Sequence, residues 1–259
     1  MPFRLTRKAG TPSGAYSMPS ERTQRLANVV LSSAVALPDF AVDRWLKSRN
    51  YYQAIDEGIR GANQGPSELK WRTMNLPPDL RGKTVLDIGC AEGYFCLQAA
   101  RRGAEVTGVD TGFSALLCAR LLARRAGLKV RYRMGVFPNL NLNTTFDYVF
   151  CLSVLHHLVS TKDIWKVLSD PAYRTDLDKM HRYLVTLRGL TSSGGTCIVE
   201  MPYEYADSTS RTTVDFSRFE HELVRAGFTS AETLGSWPHA PSNRERKDRI
   251  LYAAHVAGT

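Results

Sequence analysis

Short apolar runs alternate with stretches of helical periodicity from Lys83 to the end of the chain. The apolar runs predict strands at residues 83–89, 104–110, 129–135, 146–154 and 194–201. The stretches between and after them predict helices at 93–103, 113–127, about 162–192 and 214–228. Two last apolar runs, 230–237 and 249–257, predict an antiparallel pair at one edge. This alternation indicates an α/β fold with a doubly wound, mostly parallel seven-stranded sheet.

The N-terminal part of the chain has a different pattern. Residues 1–20 hold glycine, proline and serine with few apolar anchors, and we predict a mobile N-terminus. Apolar residues recur at helical spacing from 21 to about 59, which predicts two or three helices ended by "GIRGANQGP". The predicted organisation is therefore a mobile segment 1–20, a helical cap 21–69 and an α/β domain 70–259.

The stretch "VLDIGCAEGYF" (85–95) is a buried strand followed by a glycine turn and a helix. The second and third glycines of the dinucleotide fingerprint would fall on Ala91 and Tyr94, which argues against NAD or FAD. No G-K-[ST] follows, so a P-loop is excluded. Asp110 ends the next predicted strand, where a carboxylate can bind both hydroxyls of a ribose. The first N–H groups of the helix can bind a small carboxylate.

Three segments together resemble the class I S-adenosylmethionine-dependent methyltransferases. They are "VLDIGCAEG", "VTGVD" and "FDYVFCLSVLHHL", and the resemblance covers roughly residues 70–257. It implies a Rossmann-like fold and S-adenosyl-L-methionine as the cofactor. The residues that it places at the cofactor are Asp87, Gly89, Cys90, Gly93, Asp110, Thr111, Gly135, Val136 and Leu152.

The chain departs from this family's pattern at two points. Ala91 stands where the family commonly has a glycine, which is tolerable if its φ is negative. No acidic residue follows the third strand, so adenine recognition would rest on backbone groups near Gly135 and Val136 and on apolar packing.

A narrower resemblance is to the tRNA wobble-uridine carboxymethyl transferase and its methyltransferase relatives. It rests on "LKWRTMNLPPDLRGKTVLDIGC", "SVLHHL" and "DRILYAAHV". By this resemblance Lys70, Leu152, His156 and Arg249 fall where relatives contact the cofactor. The carboxymethyl enzymes typically have Tyr-His-Arg where this chain has His156, His157 and Leu158. That difference favours the ordinary methyl donor over carboxy-S-adenosylmethionine.

The catalytic candidates are His156 and His157, since the imidazole pKa suits removal of a proton from an acceptor. Alternatively, these histidines cap a helix or pack against the cofactor. Glu200 and Tyr203 follow the fifth strand and either line the acceptor pocket or form a strand end and a surface loop. Trp71 either covers the cofactor, beside the acceptor, or anchors the N-terminal helices.

The composition is that of an ordinary globular chain of 259 residues, with 43% hydrophobic residues and a net charge of +9. The charge favours a polyanionic partner such as RNA, although the scattered arginines fit solvated helix faces better. Five cysteines without C-x-x-C spacing predict buried free thiols and no metal site. The basic N-terminus lacks an apolar core, and no run is long enough to cross a membrane, so we predict a cytoplasmic location.

The predicted function is S-adenosyl-L-methionine-dependent methylation of a hydroxyl on a small-molecule acceptor, of natural-product or sugar type. The first alternative is methylation of an RNA nucleoside, most plausibly in tRNA. The second alternative is a non-catalytic subunit that binds the cofactor as a scaffold.

Overall fold

The computed structural model describes residues 19–33, 53, 64–160, 164–205, 215, 217–238 and 246–259. The described α-helices are α1 (Glu21–Ser33), α2 (Gln64–Thr73), α3 (Tyr94–Arg101), α4 (Phe113–Arg125), α5 (Ile164–Ser169), α6 (Arg174–Leu190) and α7 (Ser217–Arg225). The strands are β1 (Thr84–Ile88), β2 (Glu105–Asp110), β3 (Val130–Met134), β4 (Phe146–Leu152), β5 (Thr191–Tyr205), β6 (Ser230–Pro238) and β7 (Arg246–His255). None of these helices is both long and apolar enough to cross a membrane.

The described strands form one seven-stranded sheet in the order β3-β2-β1-β4-β5-β7-β6. Strands β1 to β5 are parallel, and β7 runs antiparallel to both β5 and β6. The predicted α/β fold and the predicted antiparallel edge pair are confirmed. The strand order reverses between β1 and β4, and ligands of such sheets bind outside the carboxyl ends of the strands at that point.

Each face of the sheet carries its own apolar core. Because side chains alternate along a strand, Val85 of β1 packs with α3 and α4, whereas Leu86 and Ile88 pack with α5, α6 and α7. Asp87, between Leu86 and Ile88, therefore faces α3. The same alternation puts Glu200 of β5 on the α3 face and Tyr203 on the other face.

Helix α1 closes the edge of the sheet at β3. The side-chain amide of Asn28 accepts the N–H of Met134 at 2.7 Å and donates to the Met134 carbonyl at 3.3 Å. These bonds satisfy backbone groups that an uncovered edge strand would leave open. Part of the predicted N-terminal cap thus packs on the sheet, while the predictions for residues 1–18, 34–52 and 54–63 lie outside the described residues.

Helix α2 is the main element that the pattern missed. It begins at Gln64, inside the stretch interpreted as a helix end, and Pro66 lies in its first turn, where a missing N–H costs no hydrogen bond. The domain boundary predicted between residues 69 and 70 falls inside this helix. Residues on both sides of that boundary therefore belong to one element.

Candidate cofactor and acceptor site

The turn between β1 and α3 has a backbone that requires glycine at two positions. Gly89 has φ +74° and Gly93 has φ +82°, both in the left-handed region. A Cβ on Gly93 would lie 2.5 Å from the Tyr132 hydroxyl and 3.0 Å from Ala119 Cβ, and one on Gly89 would collide with Val154. The backbone N–H of Gly89 donates to the Val109 carbonyl at 2.8 Å, which holds the turn against the end of β2.

Asp110 ends β2 beside this turn. Its Oδ2 accepts the N–H of Ala91 at 2.9 Å, and its Oδ1 accepts the N–H of Gly112 at 2.7 Å. Each oxygen keeps an unused lone pair, and the residue is partly exposed. The carboxylate is thus fixed by backbone donors and remains able to accept two hydroxyl hydrogens, as a ribose requires.

Alanine at position 91 was expected to be tolerable only with a negative φ. In the structure the φ of Ala91 is +47°, so that expectation is not met. The left-handed conformation costs a non-glycine residue about 1–2 kcal/mol. The bond from the Ala91 N–H to Asp110 explains why the strained conformation persists, since it orients the carboxylate at the site.

We expect Ala91→Gly to raise the free energy of unfolding by about 0.5–1 kcal/mol, because relief of backbone strain exceeds the added freedom of the unfolded chain. Denaturant unfolding measures the change. Ala126→Gly is the matched control: Ala126 has φ −78°, so the same substitution should destabilise there. An equal loss of stability in both variants would contradict the strain at Ala91.

Asp87 is a buried carboxyl group beneath the turn, with 1% of its surface exposed. Burial raises the pKa of Asp87 to about 7, a hydrogen bond from the Cys96 thiol lowers it, and the charge of Asp110 raises it. The thiol Sγ lies 3.3 Å from Asp87 Oδ2. A cation that enters the turn would favour the ionised form of this carboxyl group.

The Cys90 thiol lies beneath the turn and donates to the Ala91 carbonyl at 3.9 Å. The Cys90 side chain is fully buried, and burial raises the pKa of the thiol to about 11. All five cysteines are buried and free, as predicted. Within the part of the chain that the structure describes, no three His, Cys, Asp or Glu side chains converge as a metal site would require.

The N-terminus of α3 is capped by a residue that the sequence analysis missed. Gln53 Oε1 accepts the N–H of Tyr94 at 2.9 Å, and the Gln53 N–H donates to Glu92 Oε2 at 3.3 Å. Gln53 is 6% exposed. No sequence signal marked this residue, since the contact joins positions 41 residues apart.

Four polar residues meet at the ends of β4 and β5, and we call them the Glu200 cluster: Lys70, Ser153, Glu200 and Arg249. Glu200 Oε2 accepts hydrogen bonds from Lys70 Nζ and from Ser153 Oγ, each at 2.6 Å. Arg249 Nε lies 3.8 Å from Glu200 Oε1. The Glu200 side chain is fully buried, and those of Lys70 and Arg249 are 12% and 11% exposed. Lys70 and Arg249, both predicted at the cofactor, thus meet Glu200, which was predicted at the acceptor. Ser153 was not predicted at either site.

Two residues predicted to line the acceptor pocket are placed elsewhere. Tyr203 is fully buried on the opposite sheet face from Glu200, and its hydroxyl bonds that of Tyr252 at 2.6 Å, so this prediction is wrong. Trp71 is 8% exposed and packs in the core, with the Arg102 guanidinium 4.6 Å from its ring centre. This position fits the alternative in which Trp71 anchors the N-terminal helices to the core.

The two histidines lie in a 3-10 turn, Leu155–His157, directly after β4. His156 is buried and His157 is exposed, and their ring centres are 4.0 Å apart. Their catalytic role stays a prediction. The same holds for the cofactor contacts of Thr111, which is exposed after β2, of Val136, which is partly exposed after β3, and of Leu152, which is buried at the end of β4.

Gly135 lies at the rim next to Asp110. Its N–H donates to the Asp110 backbone carbonyl at 3.0 Å. A Cβ at this position would lie 2.9 Å from Val109 Cγ1. The chain therefore passes close to the end of β2, on the side where an adenine attached to the ribose would lie.

A basic cavity of about 590 Å³ lies at the other end of the sheet. Arg120 and Arg124 of α4 line it together with Lys129 and Arg131, and Arg131 pairs with Glu105 at 3.2 Å. The amino ends of β2 and β3 form this side of the sheet. Since ligands of parallel sheets bind at the carboxyl ends, we do not assign the cofactor to this cavity.

The sheet order, the glycine turn after β1 and the acidic end of β2 define the class I methyltransferase fold. A family model described as a methyltransferase domain matches residues 85–174. This range contains the turn, Asp110 and both histidines.

Two similar curated proteins are ubiquinone biosynthesis O-methyltransferases. The protein from Pseudomonas paraeruginosa is 42% identical over 95 residues, which are 36% of this chain and 40% of the relative. The protein from Stutzerimonas stutzeri is 37% identical over 117 residues, which are 44% of this chain and 47% of the relative. The chain thus spans about half the length of the curated relatives it matches.

Among solved structures, the Haemonchus contortus phosphoethanolamine N-methyltransferase 2, solved with S-adenosyl-L-methionine, has the same fold. Its TM-score is 0.53 at 16% identity, with 89% of this chain and 60% of that chain covered. Residues 85–174 thus match a methyltransferase domain, and the sheet has the fold of the S-adenosyl-L-methionine-dependent methyltransferases.

Proposed function

We propose that this protein transfers a methyl group from S-adenosyl-L-methionine to a hydroxyl of a small-molecule acceptor. The observation that carries the proposal is the Asp110 carboxylate, which two backbone N–H groups hold beside the Gly89–Gly93 turn. When bound, S-adenosyl-L-methionine supplies a methyl group attached to a positively charged sulfur. An acceptor atom can attack the methyl carbon in line and displace the sulfur. Catalysis by the protein then consists mainly of positioning the two reactants.

The residues that face this edge of the sheet fit the parts of the cofactor. Asp110 accepts the ribose hydroxyls, with Thr111 beside it, and backbone groups at Gly135 and Val136 meet the adenine. Backbone groups of the turn from Gly89 to Gly93 meet the cofactor carboxylate, while the first N–H of α3, that of Tyr94, is bonded to Gln53. Asp87 provides negative charge beneath the turn for the cationic groups. Leu152, Lys70 and Arg249 complete the predicted cofactor contacts.

The acceptor class rests on the relatives. Ubiquinone biosynthesis O-methyltransferases, by their names, methylate oxygen in the synthesis of a small molecule, which supports a hydroxyl on a small acceptor here. The acceptor hydroxyl must lose its proton, and the sequence predicts His156 or His157 as the base. RNA is the alternative acceptor, supported by the net charge of +9.

We expect Asp110→Ala to weaken the binding of S-adenosyl-L-methionine by about 10- to 100-fold, because two charge-assisted hydrogen bonds to the ribose are lost. Competition against labelled S-adenosylhomocysteine measures the change. Asp79→Ala is the control, since Asp79 is exposed and paired with Arg81 before β1. Equal affinity in Asp110→Ala and the wild type would contradict the assignment of the ribose to Asp110.

Labelled-methyl transfer into a fractionated cell extract, with and without RNase, identifies the acceptor class. We expect label in a small-molecule fraction that RNase leaves unchanged. RNase-sensitive label would establish the RNA alternative instead, and its binding should then fall steeply with salt. Cofactor binding without label in any fraction would favour a non-catalytic scaffold.

A further inference from the structure

Two buried atoms of the Glu200 cluster have no hydrogen-bond partner among the described residues. They are Glu200 Oε1 on β5 and Arg249 Nη1 on the neighbouring strand β7. The side chains are next to each other, with Arg249 Nε 3.8 Å from Glu200 Oε1. An unsatisfied buried polar atom costs about 1–3 kcal/mol, and more when it is charged. A single group that both donates and accepts a hydrogen bond could therefore satisfy the two atoms.

The chemistry of this pair fits a hydroxyl group. A hydroxyl donates its hydrogen and accepts another through its oxygen, so one O–H can satisfy Glu200 Oε1 and Arg249 Nη1 together. A carboxylate or phosphate would satisfy Arg249 but would face the Glu200 carboxylate as a like charge. An ammonium group would satisfy Glu200 but would face Arg249.

The second oxygen of the Glu200 carboxylate, Oε2, is held in place. Lys70 Nζ and Ser153 Oγ both donate to Oε2, which leaves Oε1 as the oxygen directed at Arg249. Ser153 adopts φ +58°, a left-handed conformation that costs a non-glycine residue about 1–2 kcal/mol. Such strain is retained where the surrounding structure fixes a functional geometry.

The cluster lies on the acceptor side of the cofactor turn. Ser153 precedes Val154, whose side chain contacts Gly89. Asp110 lies at the end of β2, on the ribose side of β1. Glu200 lies on β5, two strands from β1 on the other side, which is about 10 Å from β1 by strand spacing. Lys70 and Ser153, which hold Glu200 Oε2, are partly buried.

We propose that Glu200 is the proton acceptor for the substrate hydroxyl and that Arg249 binds the hydroxyl oxygen. This proposal rests on the proposed function and specifies its substrate as a neutral alcohol or phenol. The O–H bond breaks and its proton goes to Glu200 Oε1 while the oxygen forms a bond to the methyl carbon. The carbon–sulfur bond breaks with its electron pair going to sulfur, so the charges balance. Glu200 replaces His156 and His157 in the predicted role of base.

The test uses 4-nitrocatechol as the probe and the full chain saturated with S-adenosylhomocysteine. Because Glu200 is a carboxylate, the wild-type complex should bind the neutral probe at least 10-fold more tightly than the ionised probe. Binding of the neutral form is visible as a loss of the yellow phenolate absorbance. Glu200→Gln leaves Lys70 and Arg249 without a counter-charge, so its preference should reverse to the ionised probe. Glu68→Gln, on the exposed face of α2, should behave as the wild type.

The turnover of Glu200→Gln gives a second readout. Methyl transfer should fall by about 100-fold, the usual contribution of a general base, and should recover as the acceptor hydroxyl is made more acidic. A purely structural role for Glu200 would lower the rate equally for all acceptors. If Glu200→Gln does not fold, Arg249→Lys should still weaken probe binding about 10-fold while keeping the preference for the neutral form.

The outcomes separate the two proposals. Failure of S-adenosylhomocysteine to bind would overturn the proposed function itself. Binding of S-adenosylhomocysteine without binding of 4-nitrocatechol, or an unchanged charge preference in Glu200→Gln, would overturn only the assignment of the hydroxyl site.

Discussion

Gly93→Ala is expected to lower the free energy of unfolding by about 3 kcal/mol and to prevent cofactor binding. Gly93 has φ +82°, which costs an alanine about 1–2 kcal/mol. The new methyl group would also lie 2.5 Å from the Tyr132 hydroxyl and 3.0 Å from Ala119 Cβ, and such overpacking costs about 1–3 kcal/mol. Because a domain is stable by only about 5–15 kcal/mol, this single methyl group removes a large part of the total.

Denaturant unfolding of three further variants separates the two causes. Gly127→Ala is the backbone control, since Gly127 has φ +67° but open space around its Cα, and we expect a loss of about 1 kcal/mol. Tyr132→Phe removes a buried hydroxyl that has no partner among the described residues, and should be nearly neutral alone. In the double variant Tyr132→Phe should restore part of the stability lost in Gly93→Ala. Strict additivity of the two changes would contradict the contact.

The second large effect is on the pH dependence of stability, through Asp87. Burial raises the pKa of Asp87 to about 7, whereas an unfolded Asp titrates near 3.9. Between these values the folded protein keeps a proton that the unfolded chain has released, so stability falls as the pH rises. We expect the Asp87 contribution to be fully present below about pH 4 and to decrease by about 2 kcal/mol between pH 5 and 7.

Asp87→Asn isolates this contribution, because the two proteins differ only in this one carboxyl group. The difference in unfolding free energy between the variant and the wild type should therefore grow with pH and level off above 7. Cofactor affinity should show the opposite trend in the wild type, rising with pH as Asp87 ionises beside the cationic cofactor, and should be weak at every pH in Asp87→Asn. A pH-independent difference in stability would contradict the raised pKa of Asp87.

The sequence patterns predicted the sheet because its strands and helices have strong periodicities. They also predicted the glycine turn and Asp110, because the spacing of these residues is set by the local strand–turn–helix geometry. Helix α2 was missed because Gly65 and Pro66 usually end helices, yet the first turn tolerates them. Tyr203 was assigned to the acceptor pocket from its place after a strand, whereas strand β5 continues to Tyr205 and alternation turns Tyr203 to the other face.

Long-range polar contacts were beyond prediction from the sequence. Gln53 reaches the N-terminus of α3 from the N-terminal region, and nothing in the local pattern marks it. Lys70, Glu200 and Arg249 were each identified, but for separate purposes, and only the fold brings their side chains together from α2, β5 and β7.

Calorimetric titration of S-adenosylhomocysteine into the wild-type protein tests the central claim most directly, because it requires no knowledge of the acceptor. We expect saturable binding of one molecule per chain that S-adenosyl-L-methionine displaces. The absence of binding at millimolar ligand, in a protein shown to be folded by its cooperative unfolding, would contradict the assignment of the Gly89–Gly93 turn and Asp110 to this cofactor.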